Sequence, residues 1–343
     1  MASSNNSETF SLPILSLPAL STPDGASALL SAIRSSGAFY LTEHGLASSL
    51  TERAFFTAKN LFSLPHDIKN LAPHPPGAAV HRGYSGIGLE KVYDQNEVRR
   101  LEAEGKEKEV EDLLRKVQDY KESYEIGSEE NSDQPNQWIP EDKFPRFKEF
   151  TMEFYWACQR LSMEVLEAFA LALSLGEKSK KQFLTTHSSG HGNQLRLLHY
   201  PAISQSQLDT GTQERMPGHC DWSTFTMLLQ DSAGGLEVDV GEGNWIPVEP
   251  IPDAIVVNLG DAFVRWTGDF VRSPKHRVVV PQGAARGEER YSIPYFIGPP
   301  NHGMIECFSE FGGDPKYKPI SFLDFAMEKA KYSYQDKEEE ENN

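Results

Sequence analysis

Between Gln194 and Ile297 the chain is written as short β-type runs separated by turn residues, with no helical pattern between them. The runs are 194–200, 224–230, 236–240, 254–259, 277–280 and 291–297. Short strands at such regular spacing predict a jelly roll or barrel, the architectures that leave few open sheet edges.

Helical patterns flank this stretch. Thr22-Pro23-Asp24 starts a helix that Gly37 ends, Ala38-Phe39-Tyr40-Leu41 reads as a strand, and Leu46 to Phe62 reads as an amphipathic helix closed by Pro65. Residues 96–118 alternate charges of both signs with Leu101, Val110, Leu113, Leu114 and Val117 at helical spacing, as in a solvated helical hairpin or a lid. A pattern from Phe144 to Leu175 predicts a helix long enough to back a whole sheet. The expected organisation is one compact unit, mainly β with flanking helices: residues 1–135 form a mixed α/β segment packing on the core, and 136–343 hold the backing helix, the β core and a C-terminal helix. The leader Met1 to Phe10 is polar, and Glu338–Asn343 reads as a frayed end.

Composition narrows the function classes. Apolar residues form 38% of the chain, enough for a sizeable core, while a formal charge of −17 argues against nucleic acid and anionic membrane partners. The leader lacks the apolar stretch of a secretory signal, and the only cysteines, Cys158, Cys220 and Cys307, are far apart, so a cytoplasmic location is expected.

His219-Cys220-Asp221 puts two potential ligands at positions i and i+2, which point to the same side in extended backbone. His276, at the start of a predicted strand, is the candidate third. Two imidazoles and one carboxylate suit non-haem iron(II), though a zinc hydrolase could use a similar set. Downstream, alternation from Arg290 places Ser292, Pro294 and Phe296 on one face and Tyr291, Ile293, Tyr295 and Ile297 on the other. A guanidinium facing a barrel interior needs a carboxylate, supplied by the protein or by a dicarboxylate ligand. Strand 194–200 similarly sets Gln194, Arg196, Leu198 and Tyr200 on one side.

In order, Gly37–Leu41 with His44-Gly45, Leu61–Pro65, His219-x-Asp221, Gly234–Val238, Asn258–Asp261, His276–Val278 and Arg290-x-Ser292 resemble the isopenicillin N synthase-like branch of the Fe(II)/2-oxoglutarate-dependent dioxygenases. The resemblance implies a distorted double-stranded β-helix of the cupin-like, jelly-roll kind, with iron on His219, Asp221 and His276. It gives the distal carboxylate of 2-oxoglutarate to Arg290, Ser292 and Tyr200, and O2 as the oxidant of a C–H bond, with succinate and carbon dioxide released. Leu198 stands where many plant relatives have Asn, which leaves the proximal carboxylate without that partner.

A nearer likeness, through Arg82–Ser85, Lys121–Gly127, Leu195–Pro201 and Arg290–Phe296, is to fungal thymine 7-hydroxylase-like and secondary-metabolite oxygenases. It implies a planar aromatic or heteroaromatic small-molecule substrate between Trp222 and Phe296, with Arg196 reading its polar edge; Trp222 replaces the tyrosine expected there. Three readings therefore stand: a 2-oxoglutarate-dependent hydroxylase, a thymine 7-hydroxylase proper being one case; an oxidase of the isopenicillin N synthase type that dispenses with 2-oxoglutarate; and a non-catalytic protein that retains the barrel.

Overall fold

The structure is a computed structural model that describes residues 11–77, 80–116, 120–204, 206, 214–281, 287–312 and 316–333. The polar leader to Phe10, Val117 and Gln118 of the charged hairpin, and Glu338–Asn343 lie outside the described residues.

Twelve strands build the core: β1 (Ile14–Ser16), β2 (Ala38–Thr42), β3 (Gly83–Ser85), β4 (Glu122–Ile126), β5 (Gln194–Tyr200), β6 (Glu214–His219), β7 (Phe225–Gln230), β8 (Leu236–Asp239), β9 (Trp245–Pro247), β10 (Ile255–Leu259), β11 (His276–Val279) and β12 (Arg290–Ile297). Eight of them form a large sheet in the order β1-β2-β10-β7-β12-β5-β4-β3, and the others a small sheet in the order β6-β11-β8-β9. All neighbours pair antiparallel except β1 with β2. This is the expected jelly roll, and strands from the front of the chain, β1 to β4, complete both edges of its large sheet.

Alternation along each strand divides the interior in two. From β12, Tyr291, Ile293, Tyr295 and Ile297 join a core shared with the helices Pro23–Ser35 and Phe147–Ala172, as do Phe225, Met227 and Leu229 of β7. The opposite faces of the large sheet contribute Tyr40, Leu198, Tyr200 and Val256 to a second apolar cluster with Met216, Leu236, Val238 and Val278 of the small sheet. The large sheet is thus buried on both faces, by helices on one side and by the small sheet on the other.

The N-terminal helix Pro23–Ser35 begins as expected, with Thr22 accepting a hydrogen bond from the backbone N–H of Gly25. The charged stretch forms a hairpin of Gln95–Ala103 and Glu107–Lys116, and Val98, Leu101, Val110 and Leu114 bury in a satellite cluster with Tyr93. Tyr332, from the end of the chain, packs against that cluster, so the hairpin is docked rather than freely solvated. No described helix is long and apolar enough to cross a membrane.

Strands β3, β4, β6 and β9 escape the sequence pattern, and so does the short helix Asp261–Trp266, which interrupts the stretch expected to hold strands alone and is too short to show a helical period. In β6 the cause is Pro217 and Gly218, which read as a turn; Pro is accommodated because β6 is an edge strand whose pairing with β11 shifts register twice. In β4 the cause is polarity, since Glu122, Ser123 and Glu125 are buried without apolar alternation.

The ring of Phe169, fully buried in the long backing helix, meets Phe39, Phe225 and Phe263 edge-on at centroid distances of 6.4, 5.2 and 5.2 Å. Phe169→Ala is expected to lower stability by about 3–5 kcal/mol, measured as a shift of the urea midpoint at unchanged slope.

Candidate metal and co-substrate site

His219 ends β6 and His276 begins β11, and the two are register partners across the small sheet. Their rings consequently lie side by side, with centroids 4.4 Å apart. Asp221 follows two residues beyond His219, and its Oδ1 is 4.0 Å from Nε2 of His219 and 3.7 Å from Nε2 of His276. One donor atom from each residue lies within 4.8 Å of the others, so the expected triad is assembled at one point.

Backbone carbonyls select the imidazole tautomers. Nδ1 of His219 is 3.0 Å from the carbonyl of Pro217, and Nδ1 of His276 is 3.3 Å from that of Pro274. A carbonyl can only accept, so each Nδ1 carries the proton and each Nε2 keeps its lone pair for an ion. Burial, and then the neighbouring His276, push His219 down to about 4, which leaves its ring neutral at pH 7 as ligation requires.

Asp221 is prepared as an anion. Burial alone would raise its carboxyl, but His276 and His219, with hydrogen bonds from Thr226 and Asn258, hold it below its usual range. Thr226 Oγ1 and Asn258 Nδ2 both donate to Oδ2, at 2.6 and 2.7 Å, and so leave Oδ1 facing the histidines. Neither residue was singled out individually from sequence. The available signal was a polar residue within an apolar strand: Asn258 follows Ile255-Val256-Val257, and it is the register partner of Thr226 between β10 and β7. Gly260 permits this close packing, because a Cβ there would lie 2.1 Å from the carbonyl oxygen of Ser223. The intervening Cys220 directs its thiol to the carbonyl of Ser273 and is pushed up to about 12 by burial, so it stays protonated and outside the donor set.

The triad lines a cavity between the sheets that Arg290, Ser292 and Tyr200 also line. Arg290 is 1% exposed. Its Nε donates to the Gly234 carbonyl at 2.9 Å, Nη1 to Ser292 Oγ at 2.9 Å and Nη2 to Gln230 Oε1 at 3.3 Å. The Tyr200 ring lies 5.1 Å from the guanidinium carbon, with its hydroxyl 3.7 Å from Met216 Sδ. All these partners are neutral, and among the described residues Arg290 has no carboxylate within ion-pair distance. A buried cation so placed suits an anionic ligand with planar oxygens.

Trp222, Phe296 and Arg196 line the same cavity, with Trp222 and Phe296 only half-buried, so each presents ring surface to it. Leu198 is there too, where the resemblance would place Asn. Arg196 is not an isolated cation: Nη1 lies 3.1 Å from both oxygens of Glu90, and Nη2 is 3.0 Å from Oε1 of Glu125. Lys121 also donates to Glu90, at 2.6 Å. Burial pushes the Glu90 carboxyl up, but Arg196 and Lys121 outweigh it and keep the group ionised.

The support of Asp221 can be tested directly. Thr226→Val and Asn258→Ala are each expected to weaken divalent metal binding by about 10–100-fold with the circular dichroism spectrum unchanged, as read by calorimetric titration.

Residues 12–142 match the family described as non-haem dioxygenase in morphine synthesis N-terminal, and residues 192–299 match the 2OG-Fe(II) oxygenase superfamily. The chain is 36% identical to proline hydroxylase buaE of Petromyces alliaceus, over 89% of this chain and 86% of that protein. It is also 36% identical to the 2-oxoglutarate-Fe(II) type oxidoreductase ppzD of Metarhizium rileyi, over 91% and 86%. Among solved structures, the full-length thymine 7-hydroxylase of Neurospora crassa in complex with α-ketoglutarate superposes with a TM-score of 0.81 at 30% identity, covering 95% of this chain and 98% of that one. The same protein with α-ketoglutarate and thymine gives a TM-score of 0.80 at 30% identity over 95% and 98%. The chain belongs to the 2OG-Fe(II) oxygenase superfamily, and is a dioxygenase whose cofactors are Fe(II), 2-oxoglutarate and O2.

Proposed function

We propose that His219, Asp221 and His276 hold the iron, that Arg290, Ser292 and Tyr200 hold the distal carboxylate of 2-oxoglutarate, and that the enzyme hydroxylates a methyl or ring C–H of a planar aromatic or heteroaromatic small molecule. The observation that carries the co-substrate assignment is Arg290, a buried guanidinium whose hydrogen-bond partners among the described residues are all neutral, on the wall of the cavity that the triad lines. The donor set fits the metal: two Nε2 lone pairs fixed by proline carbonyls and one carboxylate oxygen. Iron and 2-oxoglutarate together supply the oxidising chemistry, with succinate and carbon dioxide as the co-products.

The chain's own residues orient and enclose. Arg290 and Ser292 anchor the co-substrate at the end away from the metal, and apolar Leu198, Leu228 and Val278 line the same cavity. Trp222 and Phe296 offer two aromatic surfaces to a flat ring, an arrangement that would hold one edge carbon in place by stacking. Arg196, fixed by Glu90 and Glu125, would meet the polar edge of that ring as part of a paired-charge cluster.

That cluster also favours a second reading. Glu90 and Arg196 offer both signs of charge on one wall, as a zwitterion needs, and the relative buaE is named a proline hydroxylase. An amino acid substrate is therefore the alternative to a planar heterocycle such as thymine.

Succinate release from 2-oxoglutarate with Fe(II) and O2 distinguishes the readings. Stimulation by thymine or other methylated heterocycles supports the planar class, and stimulation by L-proline or related amino acids supports the zwitterion class. Absence of succinate with every compound counts against 2-oxoglutarate use and returns the isopenicillin N synthase type of oxidase. Arg290→Ala is expected to raise the KM for 2-oxoglutarate by one to two orders of magnitude, in keeping with the loss of about 1.5–3 kcal/mol for a charged hydrogen bond, whereas His219→Ala and Asp221→Ala should each remove turnover and iron. An unchanged KM in Arg290→Ala would overturn the anchor.

A further inference from the structure

A second group of metal-ligating side chains lies outside the proposed iron site. His74 and His81 come from the segment that leads into β3, and Glu125 from β4; one donor atom from each lies within 4.8 Å of the others. Nε2 of His74 is 3.6 Å and Nδ1 of His81 is 4.0 Å from the same oxygen, Oε2 of Glu125. These separations nearly repeat the 3.7 and 4.0 Å between imidazole nitrogens and Asp221 Oδ1 in the iron triad. They exceed an ordinary hydrogen bond, and lie near the roughly 3.4 Å that separates donors on one tetrahedral ion with bonds of about 2.0–2.2 Å.

The tautomer of His74 is set by the device already seen twice. Its Nδ1 lies 2.6 Å from the carbonyl of Pro75, so Nδ1 is the donor and Nε2 turns its lone pair toward Glu125. The His74 and His81 rings stand 72° apart with centroids at 5.7 Å, a geometry in which two imidazole edges can converge on one point. Burial pushes His81 down to about 4, and its ring is neutral at pH 7. Glu125 is fully buried, and its other oxygen is fixed by the Arg196 guanidinium.

We propose that His74, His81 and Glu125 form a second, structural metal site for Zn(II) or an ion of similar preference. Arg196, Arg82 and Lys121 bring positive charge to this region and Glu90 and Glu125 offset it in part, so affinity has to come from imidazole nitrogen. That selects a borderline ion such as Zn(II) or Co(II) over Mg(II) or Ca(II), which need several oxygens. An ion there would tie the segment carrying His74 and His81 to β4. Because His81 meets the ring of Trp222 edge-on at 6.0 Å, it would also fix one wall of the cavity.

The test uses the full chain with the iron triad removed by His219→Ala and Asp221→Ala. Equilibrium dialysis with Zn(II), and with Co(II) as a visible-absorption reporter, is expected to leave about one equivalent bound with the d–d bands of a low-coordinate site. Adding His74→Ala or, separately, His81→Ala should weaken that binding at least tenfold. No residual equivalent in the triad-free protein overturns the proposal even if the His74 and His81 variants fail to fold. An equivalent whose affinity is unchanged in both further variants overturns it as well, by placing the ion elsewhere.

Discussion

The structure depends on the strict alternation of the large sheet, whose two faces are buried against different partners. On β12 the outward set Tyr291, Ile293, Tyr295 and Ile297 enters an aromatic core beneath the helices, while the inward set Arg290, Ser292, Pro294 and Phe296 lines the cavity. A register slip of one residue would drive a guanidinium into that core and turn four large apolar side chains onto the cavity, so each register error costs many contacts at once. Register partners between β12 and its neighbours β5 and β7 are therefore also what aligns Arg290 with Tyr200.

Much of this was legible because it obeys that period. The six runs between Gln194 and Ile297 are strands to within a residue or so at each end, and the inward residues of β5 and β12 are those that alternation assigns. The proposed iron ligands were legible as types and order, and the register pairing of His219 with His276 explains why residues 57 positions apart in sequence meet. The sequence also indicated that a cation at Arg290 needs an anionic partner, and that the partner would be a fixed acid or a ligand; the neutral hydrogen-bond partners of Arg290 among the described residues, with the Arg215 guanidinium nearby, favour the ligand.

What was not legible has physical causes. β6 carries Pro217 and Gly218, and local propensity alone cannot tell a bulged edge strand from a turn. The paired charges of Arg196 depend on Glu90 and Glu125, which lie on a loop and on a polar strand far from it in sequence. A lone arginine on a strand face gives no sign of which carboxylates the fold will bring to it. His74 and His81, in a segment without periodicity, were silent for the same reason.

The way the histidines are held has a consequence for how such an enzyme can change. Nδ1 of His219 and of His276 is fixed by a main-chain carbonyl two residues earlier, at Pro217 and Pro274, so the readiness of the nitrogen donors does not rest on any side chain of the cavity wall. Leu198 and Phe296 sit on other strands and touch neither carbonyl, so they can vary without disturbing them, whereas Arg196 can change only together with Glu90 and Glu125. The architecture separates a fixed chemical seat from an adaptable mould, and a chain built this way can acquire new substrates by ordinary substitution while its donor geometry is inherited intact.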